Sequence, residues 1–380
     1  MMIVCGGPAM KKILHVSKYY YPFRGGTEQI ARDCVNAFRE DCIQKVICFN
    51  HESNDANDVV DGVDVIRCGC FAKVFSQSLS LSYREKLSDV VKTFAPDVII
   101  FHYPNPFVAA ILLRIIPANC KLIIYWHLDI VKQKIIGRFF YGQNKRLIER
   151  ADKIIATSPN YVEGSPWLSR KREKCVVVPN CINENRLQKT EISEKLADDI
   201  RLQNSGKIIC LAVGRHTEYK GFKYLIQASK LLDDRFQIYI TGKGELTKAL
   251  KNEAAGDDKV HFLGVISDDE LKAYLSAMDI YCFPSITKNE AFGLSLAEGM
   301  YFGKPAVTFT IPGSGVNYVC LSGEDGIEVE NRSVEKYAEA IKTLALDESL
   351  RKKYGDAGRK RVIENFLDSK FKENIRKAIG

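Results

Sequence analysis

A chain of 380 residues exceeds what one hydrophobic core usually supports, so two domains of ordinary size are expected. Its 46% hydrophobic and 27% charged residues exclude a disordered chain, and no window approaches the ~18 apolar residues that span a bilayer. The formal charge of +8 is concentrated in one basic segment, which points either to an anionic partner (nucleic acid, a phosphorylated substrate or an acidic membrane surface) or to a solvated face, and twelve scattered cysteines without a C-x-x-C pair, with Cys48, Cys210 and Cys282 inside apolar runs, read as reduced core residues of a cytoplasmic protein.

The first strand is expected near Lys11 in KKILHVS, which makes residues 1–9 dispensable and Met10 a possible start. Gly25 and Gly26 follow in PFRGGTEQIARDCVNAF, between a strand and a helix, where a glycine turn can cradle phosphate or sugar. KVICFN, DVIIFHY, KLIIYWH, KIIATS and CVVVPN continue the same style of short β-branched runs with helix-length segments between them. Such runs indicate parallel sheets covered on both faces.

Residues 121–174 hold twelve Lys or Arg against five acids. Within them Ile130, Val131, Ile135, Phe139 and Phe140 alternate with Lys132, Lys134 and Arg138, the pattern of an amphipathic helix that either packs on the first domain or touches an anionic membrane surface. NENRLQKTEISEKLADDIRLQNSGK then suits an interdomain connection, placing a boundary near residue 185. KIICLAVG, FQIYITGKG, KVHFLGVI, DIYCFPS and PAVTFT repeat the strand pattern in the second half. The expected fold class is therefore α/β, with two Rossmann-like units.

Ligands of open parallel sheets bind beyond the carboxyl ends of the strands. Four segments at such positions carry unusual residues. ITKNEAFGLSLAEGM places Glu290 in a loop and Glu298 within a helix, with Phe292, Gly293 and Leu294 offering N–H groups to an anion at the helix start. GRHTEYKG supplies Arg215 and Lys220, two cations suited to the charge of a departing nucleoside diphosphate. The glycine turn at Gly25 and Gly26 is the third, and YWHLDIVKQK is the fourth, with His127 and Asp129 as substrate-binding candidates.

The loop RGGTE, HYPNPF, WHLDIVKQK, PNCIN, GRHTEYKG, the Glu290–Glu298 spacing and GEDGIEV, in this order, resemble the family 4 glycosyltransferases of bacterial surface-polysaccharide synthesis from about residue 11 onward. The resemblance implies the GT-B fold, two Rossmann-like domains facing across a cleft. Residues 1–185 would bind the acceptor and 186–361 the nucleotide sugar, with a terminal helix at about 362–380 that packs back on the first domain. It implies a retaining hexosyltransferase in which Arg215 and Lys220 bind the donor diphosphate, Glu298 the ribose hydroxyls and Glu290 the transferred hexose, with His127 beside the reacting face.

Similarity to mannosyl and rhamnosyl transferases of O-antigen assembly favours GDP-mannose as donor, then UDP-hexoses, with a saccharide, in particular a polyprenyl-diphosphate-linked one, as acceptor. No D-x-D triplet occurs in the chain, so no metal and no other cofactor is expected. Two other readings compete. A nucleotide-sugar epimerase can use a similar fold without a separate acceptor, and a basic nucleic-acid-binding protein would explain the charge; no nucleic-acid motif accompanies the basic segment, so no nucleic-acid partner is expected.

Overall fold

The segment VIIFHY, Val98–Tyr103, is buried along its whole length, as a strand covered on both faces must be. The computed structural model describes residues 10–23, 25–74, 77–129 and 134–380, with the side chains of 74, 77 and 134–140 outside that description. Val98–Tyr103 lies inside a sheet of eight strands. Across the sheet the order is Cys175–Val177, Lys153–Ala156, Lys121–Trp126, Val98–Tyr103, Lys11–Val16, Cys42–Phe49, Val63–Cys68 and Ala56–Val60.

Neighbours in this sheet are parallel except for the last pair, an antiparallel hairpin. Its turn is Asp61-Gly62, both at positive φ (53° and 82°), the conformation for which Asp-Gly is suited. The apolar-run reading did not contain this hairpin: Val59 is 69% exposed at the sheet edge, so the segment lacks the continuous burial that marks the central strands.

A second sheet of six parallel strands has the order Val260–Gly264, Phe236–Thr241, Ile208–Val213, Ile280–Phe283, Ala306–Phe309 and Gly326–Val329. Ile209, Cys210, Leu211 and Ala212 in its centre are completely buried. A buried leucine or isoleucine of this kind contributes about 1.5–3 kcal/mol. In each sheet the chain runs outward on one side of its first strand and later resumes on the other. The order therefore reverses between Lys11–Val16 and Val98–Tyr103, and between Ile208–Val213 and Ile280–Phe283. Loops leaving the carboxyl ends of such a strand pair part in opposite directions and open a crevice.

The chain divides into two units. The first holds the described residues up to Ala156, Arg170–Val178 and Lys372–Gly380; the second holds Thr157–Ser169 and Pro179–Phe371. The division thus falls a few residues before 185, and the chain returns to the first unit at its end. There Lys153 Nζ donates to Ala378 O at 2.7 Å and Arg376 Nε to Ala37 O at 2.7 Å.

The polar stretch read as a connection is instead part of the second unit. It forms the helix Glu191–Gln203, whose Leu196, Ala197 and Ile200 pack on the core while its charges face water. Thr190 and Ser193 close its N-terminus with reciprocal hydrogen bonds. Among the described residues every cysteine is a free thiol, and no helix is long and apolar enough to cross a membrane.

In the basic segment the helix Lys134–Arg150 is present. Ile130, Val131 and Lys132 lie outside the described residues, as do the side chains of Lys134, Ile135, Arg138, Phe139 and Phe140.

Candidate functional site

At the reversal point of the second unit, Ile208–Val213 and Ile280–Phe283 are hydrogen-bonded neighbours, with Cys210 opposite Ile280 and Leu211 opposite Tyr281. The loop after the first carries a short turn, Glu218–Lys220, ending at Gly221 with φ +63°. A Cβ on Gly221 would collide with the carbonyl oxygen of Pro284, so only glycine lets the two loops touch backbone to backbone. Ile286 N donates to Tyr219 O at 2.9 Å and completes that junction.

The junction delivers Lys220 to Glu290: Nζ lies 2.5 Å from Oε2, with the two side chains 11% and 12% exposed. Ser285 Oγ donates to the same carboxylate oxygen at 3.0 Å. Lys220 Nζ also sits 5.0 Å from the ring centre of Phe283. Among the described residues both contacts go to Oε2, so Glu290 Oε1 remains able to accept from a ligand hydroxyl. The backbone around Glu290 is fixed, since its carbonyl accepts from Ser314 Oγ and that of Ala291 accepts from Thr157 Oγ1 at 2.9 Å and Gly315 N at 3.1 Å.

The helix Leu294–Tyr301 follows, preceded by Gly293 at φ +100°. Leu296 N and Ala297 N both donate to Gly293 O at 3.1 Å, leaving the first-turn N–H groups of Leu294 and Ser295 without an intrahelical acceptor. Phe292 turns its ring inward against Phe366, 5.3 Å away, so Phe292, Gly293 and Leu294 offer a ligand backbone only. Farther along the helix, Glu298 is paired with Arg186, which also binds Asp268 at 3.0 Å. Burial pushes the Glu298 carboxyl up, and the Arg186 guanidinium opposes that push.

Arg215 does not join the Lys220–Glu290 pair. It is exposed, 3.5 Å from the Tyr219 hydroxyl, and lines a pocket of about 330 Å³ with Gly214, Thr241, Gly242, Lys243 and Ile266, beyond the ends of three adjacent strands. The second unit thus brings Lys220, Glu290 and Ser285 together, with Arg186–Glu298 and the Arg215 pocket as separate parts.

The first unit holds the other candidates. Gly25 is the N-cap of the helix Gly26–Ala37, with an extended φ of −162°. The Glu28 carboxylate, which accepts from Thr27 Oγ1 at 2.9 Å, lies where a Cβ on Gly25 would stand. The turn that the sequence offers to phosphate is therefore occupied by the protein's own carboxylate, which repels an anion at this helix start.

His127, directly after Lys121–Trp126, is 5% exposed, and its Nε2 lies 3.0 Å from His102 Nδ1. The two rings are 5.3 Å apart at 12°. His15, on the neighbouring strand, is 6.3 Å from His102. Burial alone lowers His127 to about 3 and, against a hydrogen bond to Gln44 Oε1, lowers His15 to about 4; burial and the neighbouring imidazoles hold His102 well below the usual histidine range. All three are neutral at pH 7. Asp129 is buried and accepts from Trp126 Nε1 at 3.0 Å, which ties one of its oxygens to the indole.

Strand-end reasoning did not find Arg186, Ser285 or His102. Arg186 belongs to a helix of four residues, Glu184–Leu187, too short to show a period, and His102 looked like one more residue of a buried strand. The signal for His102 was the recurrence of histidine near the carboxyl ends of three adjacent strands, each set two residues beyond the last, since His15 lies opposite Ile100 and His102 opposite Tyr125.

The chain is similar to known proteins over nearly its whole length. The sequence model described as Glycosyltransferase Family 4 matches residues 24–186, and that described as Glycosyl transferases group 1 matches 194–361. It is 28% identical to the O-antigen chain mannosyltransferase C of Escherichia coli over 93% of this chain and 94% of that one. With the D-rhamnosyltransferase WbpZ of Pseudomonas aeruginosa the identity is 30%, covering 71% of this chain and 68% of the other. Among solved structures, Alr3699/HepE of Anabaena in complex with UDP-glucose superposes with a TM-score of 0.76 at 17% identity, over 97% of this chain and 99% of that one.

Proposed function

Because this chain belongs to the family 4 glycosyltransferases, with their GT-B fold, we propose that it moves a hexose with retention of configuration from a nucleotide sugar to a saccharide acceptor in O-antigen or related surface-polysaccharide synthesis. GDP-mannose is the first candidate donor, supported by the mannosyl and rhamnosyl relatives, and UDP-hexoses are the second, supported by the UDP-glucose complex of the structural relative. The proposed acceptor is carried on a polyprenyl diphosphate, at the cytoplasmic face of a membrane.

The observation that carries this reading is the Lys220–Glu290 pair at the strand-order reversal, with Glu290 Oε1 open. Lys220 and Arg215 neutralise the departing diphosphate, and the N–H groups of Phe292, Gly293 and Leu294 add to its binding. Glu290 accepts from hydroxyls of the hexose and Glu298 from those of the ribose. As the bond from C1 to the phosphate oxygen breaks, the acceptor oxygen bonds C1 on the same face and its proton passes to the departing phosphate oxygen. Positioning and phosphate stabilisation then supply most of the rate.

In this scheme the positive charge is built into the protein and no divalent cation is required. Transfer from GDP-mannose and from UDP-hexoses to a lipid-linked saccharide, assayed with and without EDTA, tests both points. Product formation that survives EDTA is expected; loss of activity that magnesium or manganese restores contradicts the metal-free scheme, and absence of transfer from every donor contradicts the assignment of substrates.

A further inference from the structure

The proton positions along the row His15, His102 and His127 follow from their partners. Gln44 Nε2 donates to Val35 O at 3.0 Å, which turns its Oε1 toward His15 Nε2, 2.9 Å away. An amide oxygen only accepts, so His15, being neutral, carries its proton on Nε2 and has a bare Nδ1. That Nδ1 is buried without a partner among the described residues. The interior of this unit therefore already contains one imidazole nitrogen whose lone pair goes unmatched.

His102 presents the same choice. Its Nε2 is also buried without a partner among the described residues, and its Nδ1 faces His127 Nε2 at 3.0 Å. A proton on His102 Nε2 would place an N–H in the core with no acceptor, and orphaned donors are the rarer and costlier kind. A proton on Nδ1 leaves only a bare lone pair, as at His15, and gives the short contact to His127 a donor. His127 Nε2 is then the acceptor, and the neutral ring of His127 holds its own proton on Nδ1, the one nitrogen left to meet a ligand.

We propose that His102 is a positioning residue that donates Nδ1–H to His127 Nε2 and so locks His127 as the Nδ1–H tautomer, which meets the substrate as a hydrogen-bond donor and not as a base. The ligand atom it fits is an oxygen lone pair, such as that of a saccharide hydroxyl. Stacking of His127 against Tyr125, with ring centres 4.6 Å apart at 15°, fixes the plane in which that donor points. The inference rests on the reading of His127 as a substrate-binding residue of the first unit, and it sharpens that reading by removing His127 as the group that takes the acceptor proton. The acceptor proton is left to the departing phosphate oxygen.

Two measurements on the full chain test it, and the first does not depend on knowing the substrate. Long-range nitrogen–proton NMR of the ¹⁵N-histidine-labelled protein at neutral pH, with His127 assigned through His127→Gln, reads the tautomer directly. Protonated Nδ1 on both His127 and His102 is expected, and an Nε2 proton on His127 overturns the proposal even if transfer activity is found. The second compares His102→Asn, whose amide can replace the Nδ1 donor, with His102→Leu, which cannot. For folded proteins, His102→Leu is expected to lower kcat about tenfold with KM for the nucleotide sugar little changed, and His102→Asn to recover most of it. Equal activity in wild type and His102→Leu, or equal loss in both variants, overturns the positioning role. A failure of all transfer with the expected tautomer present would instead count against the proposed reaction.

Discussion

Lys220 and Glu290 neutralise each other where little water reaches, with 11% and 12% of their side chains exposed, so removing either leaves an uncompensated charge at the same spot. Lys220→Ala and Glu290→Ala are each expected to lower turnover by at least ~100-fold, the scale of losing a buried group that stabilises the transition state. Near-normal turnover in either folded variant would remove that residue from the donor site.

His127 near 3, His15 near 4 and His102 well below the usual range all stay unprotonated where the unfolded chain titrates, at about 6.5. As pH falls below about 6.5 the unfolded chain gains protons that the native protein does not, so the stability present above that value is lost toward acid, by up to about 1.4 kcal/mol per pH unit for each group. Urea unfolding at pH 7 and pH 5 checks this. A drop in midpoint that is smaller in His15→Gln than in wild type is expected, and identical drops would contradict it. Lys220, Glu290 and His127 stood out as candidates from their strand-end positions, and the structure brings the first two together. Arg186 was not, because its pairing with Glu298 joins residues far apart in sequence through a helix of only four residues.

Among the elements, continuous apolar runs such as Ile208–Val213 and Ile280–Phe283 identified the central strands, since burial on both faces leaves no polar position. Half-covered elements were harder to read. In the hairpin, Ala56–Val60 has no buried residue and Val63–Cys68 alternates buried with less buried ones, and the helix Glu191–Gln203 hides its apolar Leu196 and Ile200 at four-residue spacing among charges.

The same ambiguity attaches to the helix Lys134–Arg150, whose sequence has both cations and aromatics. We propose that this basic segment binds anionic membranes reversibly, with each cation near the surface contributing up to about 1 kcal/mol. Co-sedimentation with vesicles is expected to require anionic lipid, to weaken with salt, and to fall when Lys132, Lys134 and Arg138 are replaced by Gln. Equal binding to neutral vesicles, or no effect of the replacement, would contradict it.

At the scale of the molecule, two parallel sheets, each with one reversal of strand order, explain why the unusual residues gather at strand ends in both halves. The two-unit organisation was legible in the strand count. The exact path was not, because the crossings at residues 156, 169, 178 and 371 carry no compositional break. The sugar and its acceptor are not written in the strand pattern either; in the proposed reading the sugar is set by side chains around Glu290 Oε1. Thermal unfolding with a panel of nucleotide sugars, GDP-mannose and UDP-hexoses first, is the most direct test, because a ligand that binds only the native state stabilises it by about 2.7 kcal/mol at a hundred times its Kd. A rise in Tm with one nucleotide sugar, weakened by Glu290→Ala, is expected; no rise with any member of the panel at saturating concentration would contradict a nucleotide-sugar site in this chain.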